Sequence, residues 1–359
     1  PRSAPQDVPW ANGPATESTP ATQRAPNIIV ILVDDLGIND VTMHGGGRGA
    51  EGVPTPNIDA IAKAGVRFDQ AYAGSAVCTV SRAALLTGRY PWRFGVEFTP
   101  TPGAMGRVAG SLYADPTKPH PISVDHDKAK ATPSFDKLGM PTSELTAAEI
   151  LKERGYHNIH IGKWHLGKTE ETSPAARGFQ RSFMLLDGGA GHFDQSGLNA
   201  KSSPAPYRED GVKVDLPADF DYSTDFYTRR MMSYIEQGRN SGRPFFGYLA
   251  YTAPHWPLQA PAADIRKYAG RYDKGWDAIQ QARRAKMVKL GLIPAGAEVS
   301  PIYPSGPSWA ALTPEQRRVE ARKMEIYAAM VDRLDQQIGV LIDYLKKSGQ
   351  YDNTVIMFM

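Results

Sequence analysis

The sequence Asn27-Ile28-Ile29-Val30-Ile31-Leu32-Val33-Asp34-Asp35 decides the fold, because a continuous aliphatic run ends at two adjacent carboxylates. Such a run of β-branched and aliphatic residues is typical of a strand buried on both faces, as in a parallel sheet covered by helices. Ligands of these sheets bind beyond the carboxyl ends of the strands. Asp34 and Asp35 therefore lie where we expect a binding site.

Strand and helix patterns alternate along the rest of the chain. Further strands are predicted at residues 66–68, 157–161, 244–251 and 354–359. Helices are predicted at residues 56–64, from Cys78 onward, at 142–154, as a basic pair within 271–292, and at 313–347. This alternation predicts an α/β fold with a largely parallel, mixed central sheet sandwiched by helices.

The composition of the 359-residue chain excludes several kinds of partner. Its 41 lysines and arginines nearly balance 38 aspartates and glutamates, and no basic run is long enough to suggest a nucleic-acid surface. No apolar stretch approaches the roughly 20 residues of a membrane span, so we expect no membrane partner. Residues 1–26 are rich in Pro, Ala, Thr and Ser and predict a disordered lead-in, such as often follows a cleaved signal peptide.

The only cysteine of the chain, Cys78, stands at the predicted start of a helix, and it excludes an internal disulfide. Residues four apart on a helix share a face, so Cys78 and Arg82 point the same way, next to N–H groups that favour an anion. A lone cysteine is more often a small buried hydrophobe, so this interpretation needs supporting groups elsewhere. With such groups, the helix start is a place for chemistry on a negatively charged group.

Supporting groups follow two other predicted strands. Lys163 and His165 come after the strand at 157–161, and His255 follows the strand at 244–251. Taken singly, Lys163 and His165 are better explained as a surface lysine and a packed histidine, and His255 is explained equally well as a rigid loop histidine. Parallel strands end at one edge of the sheet, so we expect all three beside the aspartate pair, whose oxygen ligation favours Ca²⁺ or Mg²⁺ over zinc.

The segment Cys78-Thr79-Val80-Ser81-Arg82 resembles the sulfatase motif Cys-x-Pro-Ser-Arg. Three further segments look like the same family in the same order: residues 27–37, 162–167 and 253–261, the last similar to the bacterial arylsulfatase branch. The resemblance covers residues 27–359, which we expect to form one sulfatase catalytic domain. Val80 departs from the motif where the cysteine-modifying enzyme usually reads Pro or Ala, so we expect partial modification of Cys78 in a heterologous host.

The resemblance implies an alkaline-phosphatase-like fold and arylsulfatase-type hydrolysis of a small-molecule or glycan sulfate ester. It further implies that a formylglycine-generating enzyme oxidises Cys78 to formylglycine, and that Ca²⁺ is bound, with Mg²⁺ less expected. The implied metal ligands are Asp34, Asp35 and Cys78. Arg82 and His165 would steady or deprotonate the formylglycine hydrate, Lys163 would neutralise sulfate oxygens, and His255 would bind sulfate and protonate the departing oxygen.

Two other functions stay open on the sequence: hydrolysis of phosphate or phosphonate monoesters by the same superfamily, and anion binding without catalysis by an unmodified Cys78. The family also places an Asp-Asn pair after the strand that we predict at 354–359, and then a smaller C-terminal subdomain. We therefore expect the domain to be incomplete at its C-terminal end, with weak Ca²⁺ binding and negligible turnover by this piece. Export to the periplasm or the medium is expected from the family and the lead-in.

Overall fold

The central sheet is the frame on which the predicted site residues are placed. The structure, a computed structural model, describes residues 25–44, 52–100, 125–131, 133–198, 203–298 and 307–359. The predicted lead-in, apart from its last two residues, lies outside the described residues.

The described residues form a seven-stranded sheet in the order β5-β4-β3-β2-β6-β1-β7. Five strands are parallel, and the short β4 and β5 add an antiparallel edge. The strands are β1 Asn27–Leu32, β2 His157–Lys163, β3 Arg181–Leu185, β4 Tyr207–Glu209, β5 Val212–Val214, β6 Phe245–Ala250 and β7 Thr354–Phe358. The predicted largely parallel, mixed sheet is therefore confirmed.

Helices cover both faces of this sheet, as predicted. They are α1 Pro56–Ala64, α2 Cys78–Thr87, α3 His126–Ala131, α4 Ala147–Glu153, α5 Ser223–Gly238, α6 Ala262–Arg266, α7 Trp276–Lys289 and α8 Pro314–Lys347. One apolar core joins Ile29 and Ile31 of β1 to α1, α5 and α8, and a second joins Val30 to α2 and α4. Alternate side chains of β1 thus enter opposite cores, which explains its uninterrupted aliphatic sequence. None of the described helices is long and apolar enough to cross a membrane.

The strand register brings three loops to one edge. Ala250 at the end of β6 pairs with Leu32 of β1 on one side and with Gly162 of β2 on the other. The strands β1, β2 and β6 end at Leu32, Lys163 and Ala250, so the loops that follow them begin at nearly the same level. This register is why residues far apart in sequence can form one site.

Three of the predicted elements differ from the structure. Residues 66–68 lie in the described part of the chain and belong to none of its strands, and Val66 and Phe68 are exposed, so they lack the burial that a strand of the sheet would give them. The helix predicted from Thr142 begins only at Ala147, where Thr146 and Glu149 exchange side-chain and backbone hydrogen bonds in a capping box. In the segment predicted as a helix pair, residues 271–292, a single long helix, α7, starts after Gly275.

His160 of β2 is a buried histidine within an aromatic cluster. Its fully buried ring packs against Trp164, Phe179 and Tyr248, with ring centroids 5.2–5.4 Å apart. Burial, together with the charge of Arg82, lowers the pKa of His160 to about 3. The ring is therefore neutral in the folded protein.

We expect His160 to make folding sensitive to mild acid. A histidine of the unfolded chain takes up a proton near pH 6.5, whereas His160 does so only near pH 3, so the unfolded state binds more protons between these values. Stability should fall as the pH drops, and His160 should account for about 2 kcal/mol of the loss between pH 7 and pH 5.

Urea unfolding at several pH values checks this expectation, with His160→Phe as the comparison because phenylalanine suits the aromatic cluster and cannot titrate. The variant should lose about 2 kcal/mol less than the parent over that range, whatever its absolute stability. Equal pH dependence of the two proteins would contradict the role given to His160.

Candidate functional site

A cavity of about 800 Å³ opens beside the carboxyl end of β1 and the start of α2. Asp34, Asp35, Cys78 and Arg82 are among the residues that line it. The predicted site residues on β1 and α2 therefore face one space. Loops after β2, β3 and β6 supply the remaining groups.

A buried ion cluster of Asp34, Arg82 and Lys163 forms the base of the site. One Asp34 oxygen lies 3.1 Å from the Arg82 guanidinium, and the other lies 2.5 Å from the Lys163 ammonium. Arg82 also donates a hydrogen bond of 2.8 Å to the backbone carbonyl of Lys163. All three side chains are at most 5% exposed, so they form a single unit shielded from water.

The charges of this cluster decide the protonation of Asp34. Burial alone would raise its pKa, but the attraction of Arg82, Lys163 and His255 prevails and lowers the pKa from 3.8 to about 2. Burial opposes the charged form of Arg82 too, and the carboxylate of Asp34 raises the pKa of Arg82 despite it. Two cations and one anion leave one net positive charge at the base of the site.

Cys78 and His165 form the second part of the site. Cys78 is the first residue of α2, and its Sγ lies 3.2 Å from Nδ1 of His165. Burial, followed by the charges of Lys163 and Arg82, lowers the pKa of His165 well below its usual value of 6.5. A neutral imidazole beside Cys78 can accept a proton from a group at that position.

Backbone geometry fixes where His165 points. His165 has φ of +58° and Asp35 has φ of +61°, a left-handed conformation that non-glycine residues adopt rarely and that is often found at functional sites. Gly188, after β3, lies against the His165 ring, and a Cβ added there would approach Cε1 to 2.6 Å. A glycine is therefore needed under the ring.

His255 forms the third part of the site, opposite Asp35. Its Nε2 lies 3.6 Å from Oδ2 of Asp35, and its Nδ1 lies 2.5 Å from the carbonyl oxygen of Trp256. Because a carbonyl only accepts, Nδ1 carries the proton and Nε2 is directed toward Asp35. Trp256 stacks on the ring and is 54% exposed.

The structure brings the seven predicted residues together and gives two of them unexpected surroundings. Lys163, which the resemblance assigns to sulfate oxygens, is fully buried, and its ammonium lies against Asp34. Asp34, expected as a metal ligand, has both oxygens against cations.

The described residues contain no cluster of three or more His, Cys, Asp or Glu arranged to hold a metal ion. Asp34 and Asp35 nevertheless offer hard oxygen donors at the cavity wall.

Sequence reasoning missed His192, which is fully buried and contacts the His255 loop. It also missed Gly188 and Gly189, although the sequence Gly188-Gly189-Ala190-Gly191 directly after a buried strand is a signal for close backbone approach. A Cβ added at Gly189 would lie 3.3 Å from the His255 ring. The glycine loop thus packs against both site histidines.

Comparisons with known proteins agree on one family. The sulfatase family model matches residues 26–359. The chain is 36% identical over 348 residues to an uncharacterised sulfatase of Schizosaccharomyces pombe, covering 94% of this chain and 58% of that relative. It is 35% identical over 341 residues to an arylsulfatase of Klebsiella aerogenes, covering 94% and 66%. The chain therefore spans between 58% and 66% of the length of these relatives.

A solved structure is also similar to this chain. The crystal structure of Ps i-CgsB is similar with a TM-score of 0.63 and 29% sequence identity, over 93% of this chain and 58% of that one. Ps i-CgsB has also been solved in complex with k-i-k-neocarrahexaose, with 28% identity to this chain.

The neighbouring aspartates give a matched test of the ion cluster. Asp34→Asn leaves two buried cations without a counterion, so we expect it to lower the free energy of unfolding by about 3–5 kcal/mol. Asp35 is 56% exposed, and Asp35→Asn should change stability by at most about 0.5 kcal/mol. Urea unfolding with EDTA present, to remove any contribution from metal, should show this difference. Equal losses for the two variants would contradict a structural role special to Asp34.

Proposed function

This chain belongs to the sulfatase family, and from that premise we propose that the protein hydrolyses sulfate esters at an aldehyde hydrate formed from Cys78. The observation that carries the proposal is the contact of 3.2 Å between Cys78 Sγ and His165 Nδ1, beside the buried cations of the ion cluster. The contact supports the proposal because a nucleophile at position 78, a proton acceptor and positive charge would then share one site.

The chemistry at position 78 explains why a cysteine would be modified. A thiolate that attacked sulfur would leave a sulfated enzyme, which a second attack must clear. An aldehyde hydrate carries two hydroxyls: one can attack sulfur as the S–O bond to the alcohol breaks and the alcohol departs, and deprotonation of the other then expels sulfate and restores the aldehyde. A formylglycine-generating enzyme is the proposed maturation partner that converts Cys78.

His165 is the residue proposed to take the proton from a hydroxyl at position 78. Its Nδ1 is already within hydrogen-bond reach of the Cys78 side chain. The lowered pKa keeps the ring neutral, and therefore able to accept a proton, at neutral pH. Gly188 under the ring holds this orientation.

The buried cations are proposed to stabilise the sulfate group electrostatically. Arg82 is one turn after Cys78 on α2, and Lys163 precedes His165 by two residues, so both charges stay next to the reacting position. The negative charge of Asp34 balances only one of these two positive charges. Because the cluster is shielded from water, its remaining positive charge acts at low local dielectric, where it interacts more strongly with an anion.

His255 is proposed to serve the leaving-group side. Its ring is 11% exposed and its Nε2 faces the space beside Asp35. In the protonated state, Nε2 can donate to an oxygen that departs from sulfur. Trp256 extends from this ring into solvent, where it can contact the alcohol portion of a substrate.

A hard cation, with Ca²⁺ preferred over Mg²⁺, is proposed as the resident metal. Asp34 and Asp35 are the carboxylates that would hold it, and both line the cavity. When bound, such an ion polarises a sulfate oxygen and stabilises developing negative charge. Ca²⁺ takes about six to eight oxygens, so these two residues form only part of its ligand set.

The substrate is proposed to be a small-molecule or glycan sulfate ester. Two similar proteins support these two substrate classes. The Klebsiella aerogenes relative is named an arylsulfatase, which supports a small-molecule ester, and Ps i-CgsB was crystallised with k-i-k-neocarrahexaose, which supports a glycan. The Pro-, Ala-, Thr- and Ser-rich residues 1–26 support the further proposal that the protein is exported.

Replacement of Cys78 tests the function directly. In the full-length protein, Cys78→Ala and Cys78→Ser should lower the turnover of 4-nitrophenyl sulfate by about a thousandfold or more, because each removes the precursor of the nucleophile. Thermal unfolding should show that both variants remain folded, since Cys78 is only partly buried. Near-parental turnover by Cys78→Ala would refute the assignment.

Gly188 provides a test of the His165 contact. We expect Gly188→Ala to lower kcat for 4-nitrophenyl sulfate by about tenfold to a hundredfold, because the added methyl group forces the His165 ring away from position 78. The matched control is Gly296→Ala, since a Cβ at Gly296 meets no heavy atom of the described residues within 4 Å. Unchanged kinetics of Gly188→Ala would show that this ring position is not required.

A further inference from the structure

We propose that His192 is a positioning residue that holds the backbone of His255, and through it the leaving-group side of the site. The inference rests on the proposed sulfatase function for its kinetic consequence. Its structural content rests on contacts alone. His192 lies in the loop after β3 and is 1% exposed.

Both ring nitrogens of His192 have partners. Nε2 lies 3.1 Å from the carbonyl oxygen of His255, and Nδ1 lies 2.7 Å from Oγ of Ser223, the first residue of α5. The carbonyl can only accept, so Nε2 carries the proton, and Nδ1 accepts from the Ser223 hydroxyl. Burial lowers the pKa of His192 to about 4, so this neutral form is the one present at neutral pH.

The backbone around His192 strengthens the same connection. Its carbonyl accepts a hydrogen bond of 2.8 Å from the N–H of Ser223, and its own N–H donates one of 2.7 Å to Oε1 of Gln259. Tyr222, adjacent to Ser223, donates from its hydroxyl to the Gln259 carbonyl. The segment from His255 to Gln259 is thus tied at both ends to His192 and the start of α5.

Gly189 and Trp256 pack against the His255 ring, but among the described residues its ring hydrogen bond goes only to its own loop, so its place in the site depends on the backbone that His192 holds. Nδ1 of His255 bonds to the carbonyl of the next residue, Trp256, and its Nε2 lies beside the partly exposed Asp35. The ring therefore follows the position of its backbone. A proton donor that moves by about 1 Å can lose much of its effect on rate.

Substrates with different leaving groups distinguish a role of His192 in positioning His255 from a general effect on protein stability. A good leaving group needs little protonation as it departs, whereas a poor one needs the proton from His255. We expect His192→Phe, which fills the space without hydrogen bonds, to lower kcat by about tenfold to a hundredfold for an alkyl sulfate. For 4-nitrophenyl sulfate the expected loss is about threefold or less. His192→Gln, whose amide can donate to the His255 carbonyl, should recover most of the alkyl sulfate activity.

The same substitution made in a variant that lacks the His255 side chain shows whether His192 acts through His255. In His255→Ala, the further change His192→Phe should alter kcat by about twofold or less, because the group that it positions is already absent. Equal losses for both substrates, no rescue by His192→Gln, or full additivity with His255→Ala would each overturn the proposal.

A readout without turnover separates this proposal from the proposed function. In the ¹⁵N-labelled full-length protein, the Nε2–H proton of His192 should give a resonance that exchanges slowly with water, since it is buried and hydrogen-bonded. If the parent protein cleaves no sulfate ester, the proposed function is refuted. The Nε2–H resonance would then still test whether His192 bonds to the His255 backbone. A His192 ring protonated on Nδ1 instead would overturn the proposal.

Discussion

The ion cluster of Asp34, Arg82 and Lys163 is the interaction on which the site depends. Asp34 joins the end of β1 to α2 through Arg82 and to β2 through Lys163. Its N–H also donates to the carbonyl of Ala253, which leads into the His255 loop. A buried carboxylate between two buried cations costs desolvation energy, which only this geometry offsets. The three loops are consequently held in one relative position.

The chemistry follows from short sequence distances to this cluster. Cys78 is four residues before Arg82 on one helix, and His165 is two residues after Lys163. Anchoring the cations therefore also holds Cys78, at the position proposed for the nucleophile, and the neutral imidazole of His165 at their contact distance of 3.2 Å. The glycines after β3 allow the two site histidines to pack against the backbone, and His192 fixes the backbone of the second. The site combines rigid strand ends with one helix start, and loops on a rigid scaffold commonly carry function.

The sequence predicted the parts of this arrangement that depend on local patterns. Local sequence patterns predict the buried strand β1, the long helix α8 and the shared face of Cys78 and Arg82. The four ordered motifs predicted the residues that the structure brings together. Local patterns could not show that Asp34 has both oxygens against cations, or that Lys163 is buried, because these contacts join segments far apart in the chain. The strand expected at residues 66–68 failed because a short apolar run needs a pairing partner, and the described sheet offers none there. His192 gave no signal because its role depends on a carbonyl 63 residues away.

The mass of the peptide that contains Cys78, from the protein isolated from its natural source, tests the central claim most directly. Trypsin should release the segment from Phe68 to Arg82, which contains no other lysine or arginine. Conversion of the thiol to the aldehyde lowers its mass by about 18 Da, a change that depends on the reactivity of this one cysteine. The account predicts that the lighter peptide predominates in preparations that cleave sulfate esters. An unmodified mass in a fully active preparation would contradict it.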